Sequence, residues 1–176
     1  GHVAGVALVP LDAPDARIRE LAAAGIQGVR FNFLPHLGPP PRIDAVIAFA
    51  ARIADHGWSL TIHTHPDHLA ELAGGLRRAP VPVVIDHMAR VAAAGGPDQP
   101  AFRLLRELME DERFWVKVSG CERASGQGYP HADAVPLARR LVADFPDRVL
   151  WGTDWPHPNF GGPPPDDGRL VDLLGA

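Results

Sequence analysis

Residues 81–90 read VPVVIDHMAR, a run of mainly β-branched side chains that ends in an aspartate, a histidine and an arginine. Valine and isoleucine favour strands, and a short apolar run of this kind is typical of a fully buried strand in a parallel sheet. The stretch therefore predicts a buried strand with Asp86 and His87 at its carboxyl end.

Five more runs of this kind lie along the chain. They read GVALVP from residue 5, GVRFNF from 28, LTIHTH from 60, FWVKVSG from 114 and VLWGTDW from 149. Their starts are about 29 residues apart on average, close to the ~30 residues of a βαβ unit. Segments with helical periodicity separate them; Asp12 is predicted to cap the first helix, and the third is predicted to run from Pro66 to Gly74. The alternation predicts an α/β fold.

Both an open doubly wound sheet and a closed barrel accept this alternation. An open sheet that binds nucleotide phosphates carries a glycine-rich turn, and neither G-x-G-x-x-G nor G-x-x-x-x-G-K-[ST] follows any of the six runs. Instead, nearly every run ends in polar or ionisable residues, as strands do at the catalytic face of a (β/α)8 barrel. We therefore predict a barrel fold, with one domain spanning residues 1–176.

Composition narrows the class of partner. The chain has 17 basic and 21 acidic residues, a net charge of −4, and no basic run, so nucleic acid is not an expected partner. No apolar run approaches the ~20 residues that cross a bilayer, so no membrane partner is predicted. The single cysteine, Cys121, cannot form an internal disulfide, and a cytoplasmic location is the expectation.

Ionisable residues follow five consecutive strands. Parallel strands bring their carboxyl ends to one rim, so residues far apart in sequence are predicted to line one pocket. The candidates are Arg30, His63, His87, Arg90, Arg123, Asp154 and His157.

Asp154 and His87 are the candidate acid–base pair. Asp154 lies between Trp151 and Trp155, and such neighbours are predicted to desolvate the carboxylate and raise its pKa, which suits a general base or a metal ligand. His87 could share a proton with Asp154 or ligate a metal. The alternative interpretations are a turn-capping aspartate and a structural histidine.

His63 and His65 form an H-x-H pair, and alternation along a strand would put both side chains on one face. Such a pair can ligate a metal, although His65 and His68 fit better as residues at the start of the next helix. The arginines at positions 30, 90 and 123 present rigid forks that suit an anionic, carboxylated substrate. Surface ion pairing is the alternative for these three.

The segments GVRFNF, VVIDHMAR, FWVKVSGCERAS and VLWGTDWPHPN together resemble the amidohydrolase superfamily, of the amidohydrolase 2 type, in the branch that contains pyrone-dicarboxylate and sugar lactonases. The resemblance implies a (β/α)8 TIM barrel of which this chain covers strands three to eight, so that the chain is expected to be incomplete at its N-terminus. It also implies that Asp154 activates water, that His87 assists proton transfer, and that Arg30, Arg90, Arg123 and His157 hold the substrate.

Two positions depart from the lactonase pattern. Pro35-His36 stands where an arginine is expected, and His63 stands where the lactonase has a tyrosine, so His63 is a candidate for substrate binding or for metal binding. The leading hypothesis is therefore a hydrolase that opens a lactone or related ester without a cofactor. The first alternative is an amidohydrolase or decarboxylase that binds one zinc or manganese ion through His63, His87 and Asp154. The second is an inactive fragment or binding module, whose unpaired sheet edges would favour a homo-oligomer.

Overall fold

The computed structural model describes residues 3–175, in which strands and helices alternate. The strands are β1 (Gly5–Ala7), β2 (Ile26–Asn32), β3 (Ser59–His63), β4 (Val83–Ile85), β5 (Phe114–Lys117) and β6 (Val149–Leu150). The helices are α1 (Asp15–Ala23), α2 (Ile43–Ile53), α3 (Pro66–Leu76), α4 (Pro100–Met109), α5 (Cys121–Ala124), α6 (Val135–Asp144) and α7 (Asp167–Asp172).

The six strands form one parallel sheet in the order β1 to β6, so each strand pairs with its neighbours in sequence. Consecutive parallel strands joined by helices are the repeating unit of a (β/α)8 barrel, and the predicted fold is confirmed for six of its units. Because all six strands point the same way, their carboxyl ends lie along one edge. Asn32 at the end of β2 is in register with His63 at the end of β3.

The core lies between the sheet and the helices. Every residue of β4 is buried, as are the last four residues of β3, which confirms the buried strand predicted from VPVVIDHMAR. Helix α4 buries its apolar stripe, Phe102, Leu105, Leu108 and Met109. Burial of large apolar side chains on this scale is the main stabilising term of the fold.

Two predicted helix boundaries are wrong. Pro14, rather than Asp12, occupies the N-cap of α1, and no side chain caps that helix. Helix α3 continues through Gly74 to Leu76, because Leu72, Ala73 and Leu76 are buried against the core and packing overrides the low helix propensity of glycine. None of the helices within residues 3–175 combines the length and apolar character of a membrane span.

Candidate active site

A cavity of about 180 Å³ lies at the carboxyl ends of the strands. Its wall contains Leu8, Arg30, Asn32, His36, Leu37, His63, His87, Arg90, Arg123, Asp154, Pro158 and Asn159. Six of the seven predicted site residues are therefore in one wall, and only His157 is outside it. A larger cavity of about 390 Å³ beside α6 is mainly apolar, with Glu122 and Arg139 as its charged residues, and it lacks this concentration of charge.

His87 and Asp154 come together as predicted. His87 Nε2 lies 3.3 Å from Asp154 Oδ1, and its other ring nitrogen, Nδ1, is 2.9 Å from the Ser119 hydroxyl at the end of β5. The His87 side chain is buried, so this pair of contacts fixes the orientation of the ring. A carboxylate, an imidazole and a hydroxyl thus form a continuous polar chain that can move a proton.

Asp154 is held on its other oxygen by Arg123. The Arg123 Nε and Nη2 atoms lie 2.7 and 2.6 Å from Asp154 Oδ2. Burial, the largest single influence, raises the pKa of Asp154, but the hydrogen bond to His87 and the charges of His87 and Arg123 together lower that pKa to about 2. The predicted rise is therefore wrong. Trp151 and Trp155 are both exposed and provide less apolar cover than their positions in the sequence predicted.

Within residues 3–175, His63 is held through one ring nitrogen only, whereas both ring nitrogens of His87 have partners. The His63 Nδ1 atom is 3.1 Å from the side-chain oxygen of Asn32, and its Nε2 atom is buried without a hydrogen-bond partner among the described residues. Burial, followed by the charges of Arg30 and His87, lowers the pKa of His63 to about 3, so the ring is neutral at neutral pH. His65 does not share this environment, because β3 ends at His63 and the His65 side chain is about half exposed.

Asp86 links three strands beneath this cavity. Its side chain is 1% exposed and lies 2.8 Å from Arg30 Nε on β2 and 2.7 Å from Lys117 Nζ on β5. Neither Asp86 oxygen receives an aligned hydrogen bond, so the contacts are ionic. Arg30 is consequently already paired with a carboxylate of the protein.

Arg90 is the one of the three predicted arginines that forms no ion pair within the described part of the chain. Burial, and then the charge of Arg123, lower the pKa of its guanidinium, which still remains a cation. The backbone brings it to the cavity through an unusual turn: His87, Met88, Ala89 and Arg90 all have φ between 50° and 56°. Such left-handed non-glycine residues are strained by about 1–2 kcal/mol each, and strain of this kind concentrates at functional sites.

Gly120, which has φ +82° at the start of α5, lies against this turn. A Cβ atom at this position would lie 2.9 Å from Cβ of His87, so a side chain at residue 120 would force His87 or the start of α5 to shift.

Potential metal ligands meet at one place within residues 3–175. Ligand atoms of Glu122, Asp154 and His157 lie within 4.8 Å of one another, whereas the predicted set of His63, His87 and Asp154 does not form such a group. A divalent cation at Asp154 would also lie beside the guanidinium of Arg123, which repels it. The metal-binding roles of His63, His87 and Asp154 therefore stay predictions, and no step proposed below uses a metal.

The chain also matches a known protein family. The family model described as amidohydrolase matches residues 1–176. The chain belongs to the amidohydrolase family.

Two curated relatives of this amidohydrolase are named for lactones. The chain is 43% identical over 183 residues to a 2-pyrone-4,6-dicarboxylate hydrolase of Comamonas testosteroni, which covers 99% of the chain and 60% of the relative. It is 37% identical over 161 residues to a 4-sulfomuconolactone hydrolase of Rhizobium radiobacter, which covers 89% of the chain and 54% of the relative. The chain thus spans little more than half the length of these relatives.

A solved structure supports the same fold. A probable 2-pyrone-4,6-dicarboxylic acid hydrolase from Acinetobacter baumannii, crystallised with citric acid bound, superposes with a TM-score of 0.77 at 25% identity. The match covers 98% of this chain and 66% of that protein.

Several residues of the amidohydrolase site were missed or undervalued in the sequence. Ser119 and Asp167 carry no signal in the sequence, because their partners His87 and His157 lie in other parts of the chain. Glu122 is buried beside Arg123 and has no charge pattern that distinguishes it from a surface glutamate. His157 was predicted to bind substrate, but it lies outside the cavity wall with its Nε2 atom 3.1 Å from Asp167 Oδ1. Its substrate-binding role stays a prediction.

Proposed function

We propose that the full-length protein is a hydrolase that opens the lactone ring of a carboxylated small molecule. The observation that carries the proposal is the position of Arg90, a cation that has no ion-pair partner among residues 3–175 and lies in the wall of the cavity that also holds Asp154 and His87. The names of the relatives, which specify dicarboxylate and sulfonate lactones, support the substrate class. The related structure from Acinetobacter baumannii contains a bound carboxylic acid, citric acid.

Asp154 is the proposed base. As the oxygen of a water molecule bonds to the lactone carbonyl carbon, Asp154 accepts a proton from that water. The ring C–O bond then breaks, and the leaving alkoxide takes a proton back through Asp154 and His87, so the product is a hydroxy acid. Ser119 holds the His87 ring in place through both stages.

The arginines have different proposed roles. Arg90 binds the substrate carboxylate, because Arg30 is engaged by Asp86 and Arg123 by Asp154. Arg30 and Arg123 supply positive charge in the cavity wall and stabilise the anionic oxygen that develops on the carbonyl. A substrate carboxylate close to Arg123 also competes for its charge, which raises the basicity of Asp154 when substrate is bound.

The proposal is tested with a carboxylated lactone and its uncharged methyl ester as substrates of the full-length protein. We expect kcat/KM to be about 100-fold higher for the acid, because charge-assisted hydrogen bonds are worth roughly 1.5–3 kcal/mol each. Arg90→Gln should lower this preference by about 10-fold or more, while the exposed Arg103→Gln control should retain it. Failure to open any lactone, or equal loss on both substrates in Arg90→Gln, would contradict the proposal.

Metal-dependent hydrolysis is a second candidate because the lowered pKa of His63 keeps its ring neutral and its buried Nε2 atom has no hydrogen-bond partner within the described part of the chain. Stoichiometric zinc or manganese in the purified full-length protein, lost in His63→Gln, would favour it. The single domain over residues 1–176, the homo-oligomer and the cytoplasmic location stay predictions alongside it.

A further inference from the structure

Glu122, in the first turn of α5, is a buried carboxylate that the proposed mechanism does not use. Its side chain is 2% exposed, and its Oε1 atom has no hydrogen-bond partner among the described residues. A buried charge without a partner costs several kcal/mol, so such a residue is retained where a nearby group compensates it. The nearest cation is Arg123, whose Nε atom is 3.7 Å from Glu122 Oε1.

The Nε atom of Arg123 therefore lies between two carboxylates. It is 2.7 Å from Asp154 Oδ2, to which it donates a hydrogen bond, and 1.0 Å farther from Glu122. The rest of the guanidinium is fixed independently of Glu122. Nη2 donates to the Pro158 carbonyl oxygen at 3.1 Å, and the group stacks on the Phe160 ring at 5.5 Å.

We propose that Glu122 is a positioning residue that serves as the second carboxylate partner of Arg123. This inference rests on the proposed function. When Asp154 carries the proton taken from water, it becomes neutral and holds the guanidinium less strongly. A shift of about 1 Å then brings Arg123 Nε within hydrogen-bond distance of Glu122, so the arginine keeps a carboxylate partner and remains beside the developing negative charge.

Other charges near Glu122 are consistent with this role. Arg90 is close enough for Glu122 and Asp154 both to favour its charged form, so two arginines face two carboxylates here. A ring nitrogen of His157 lies within 4.8 Å of a Glu122 oxygen, but the two side chains form no ion pair within 4.0 Å in the described part of the chain, and His157 Nε2 contacts Asp167 instead. Arg123 is the only cation within 4.0 Å of Glu122 in the described part of the chain.

The kinetic test uses Glu122→Gln in the full-length protein, which keeps the shape of the side chain and removes its charge. We expect kcat for the carboxylated lactone to fall about 10-fold while KM changes less than about 2-fold, because Glu122 acts after substrate binds. The exposed Glu110→Gln variant is the matched control and should behave as wild type. In an Arg123→Lys background, Glu122→Gln should cost little more, because both changes remove the same contact.

A double-mutant cycle of unfolding free energies tests the inference independently of activity. If the wild type opens no lactone, that result refutes the proposed function but not the inference about Glu122. Glu122→Gln, Asp154→Asn and the double variant are unfolded with urea. Because either carboxylate can hold Arg123, the double variant should lose more stability than the sum of the single losses. Additive losses, a wild-type kcat in Glu122→Gln, or a divalent ion in the wild type that Glu122→Gln removes would each overturn the inference. The last result would indicate a metal site made by Glu122, Asp154 and His157.

Discussion

His63 and His87 each have one ring nitrogen held by a polar neighbour, Asn32 and Ser119 respectively. The two rings lie edge to face with their centroids 5.5 Å apart. A proton on the buried His63 ring would lose its hydration and would also add positive charge beside Arg30 and His87, and for these reasons its pKa is lowered to about 3. His63 is therefore an uncharged side chain in the cavity wall, and it lowers the free energy of unfolding at acid pH.

The direction in which His63 changes the unfolding free energy with pH follows from its pKa. In the unfolded chain its pKa is about 6.5, so the unfolded state binds a proton below that pH while the folded state does not. Stability is therefore unaffected at pH 7 and is lost as pH falls through 6.5 toward 3. For this residue the loss amounts to about 3 kcal/mol between pH 7 and pH 4.5.

We predict that His63→Gln removes this loss. Urea unfolding of the full-length protein at pH 7 and pH 4.5 measures it, and the unfolding free energy of the variant should fall by about 3 kcal/mol less than that of wild type. The exposed His56→Gln variant should retain the wild-type pH dependence. An identical decline in wild type and His63→Gln would show that the histidine titrates normally in the folded protein.

Some properties of the individual site residues could be predicted from the sequence and others could not. Asp154 and His87 could be predicted as partners because each ends a strand, and strand ends meet at one rim. The pKa of Asp154 could not, because it depends on His87 and on Arg123 of helix α5, 31 residues earlier, which together outweigh the effect of burial. A sequence indicates apolar neighbours along the chain but not the cation that lies across the cavity.

At the scale of elements, Asp86 joins β2, β4 and β5 at the ends where the site is built. Lys117 approaches it from the neighbouring strand β5, and Arg30 approaches it from β2, which lies beyond the neighbouring strand β3. The two ion pairs therefore connect β2 and β5 through Asp86, which follows β4, and they orient two cations at once.

We predict that Asp86→Asn destabilises the full-length protein by about 3–5 kcal/mol, because it leaves two cations beside a neutral amide in a buried place. Urea denaturation measures the change, with the exposed Asp98→Asn variant as the control. A loss below about 1 kcal/mol, the value usual for surface ion pairs, would show that the contact is not a structural link.

Helix α3 offers a matched pair of glycines. A Cβ on Gly74 meets nothing within 4 Å, whereas a Cβ on Gly75 would lie 2.3 Å from Cγ1 of Ile43 on α2. We predict that Gly74→Ala stabilises the protein by up to ~1 kcal/mol through helix propensity, and that Gly75→Ala destabilises it by about 1–3 kcal/mol through overpacking. Thermal unfolding of both variants tests this; a shift of the same sign in both would contradict the packing described for α2 and α3.

The apolar periodicity predicted which strands and helices form, but it did not predict where each of them ends. A single 3-10 turn, Ala54–His56, follows α2, and its end at Gly57, with φ +65°, could be predicted because glycine accepts the left-handed conformation. The continuation of α3 past Gly74 could not, since it depends on contacts of Leu76 with the rest of the core. The left-handed turn from His87 to Arg90 is equally invisible, because none of its residues is a glycine.

On the scale of the whole molecule, the sheet has two edges. Strands β1 and β6 each pair on one side only, and apolar side chains near them are exposed, among them Val6, Leu8 and Leu150. The solved relative of the same fold is longer than this chain. Unpaired edges with apolar side chains are sites of association.

We predict that a protein consisting of residues 1–176 alone associates as its concentration rises, as measured by sedimentation velocity. Val6→Lys, on the exposed face of β1, should shift the association to higher concentration, whereas Arg103→Gln should not. A monomer at all concentrations would show that the sheet edges at β1 and β6 do not drive association. It would also remove the support for a homo-oligomer.

The most direct measurement is the rate of ring opening of a carboxylated lactone by the full-length protein with Asp154→Asn, compared with wild type and with Asp55→Asn. Asp55 is exposed and precedes β3, at the opposite end of the sheet from the site. We expect Asp154→Asn to lower kcat by about 10²–10⁴-fold and Asp55→Asn to leave it unchanged. A wild-type kcat in Asp154→Asn would contradict the assignment of Asp154 as the base.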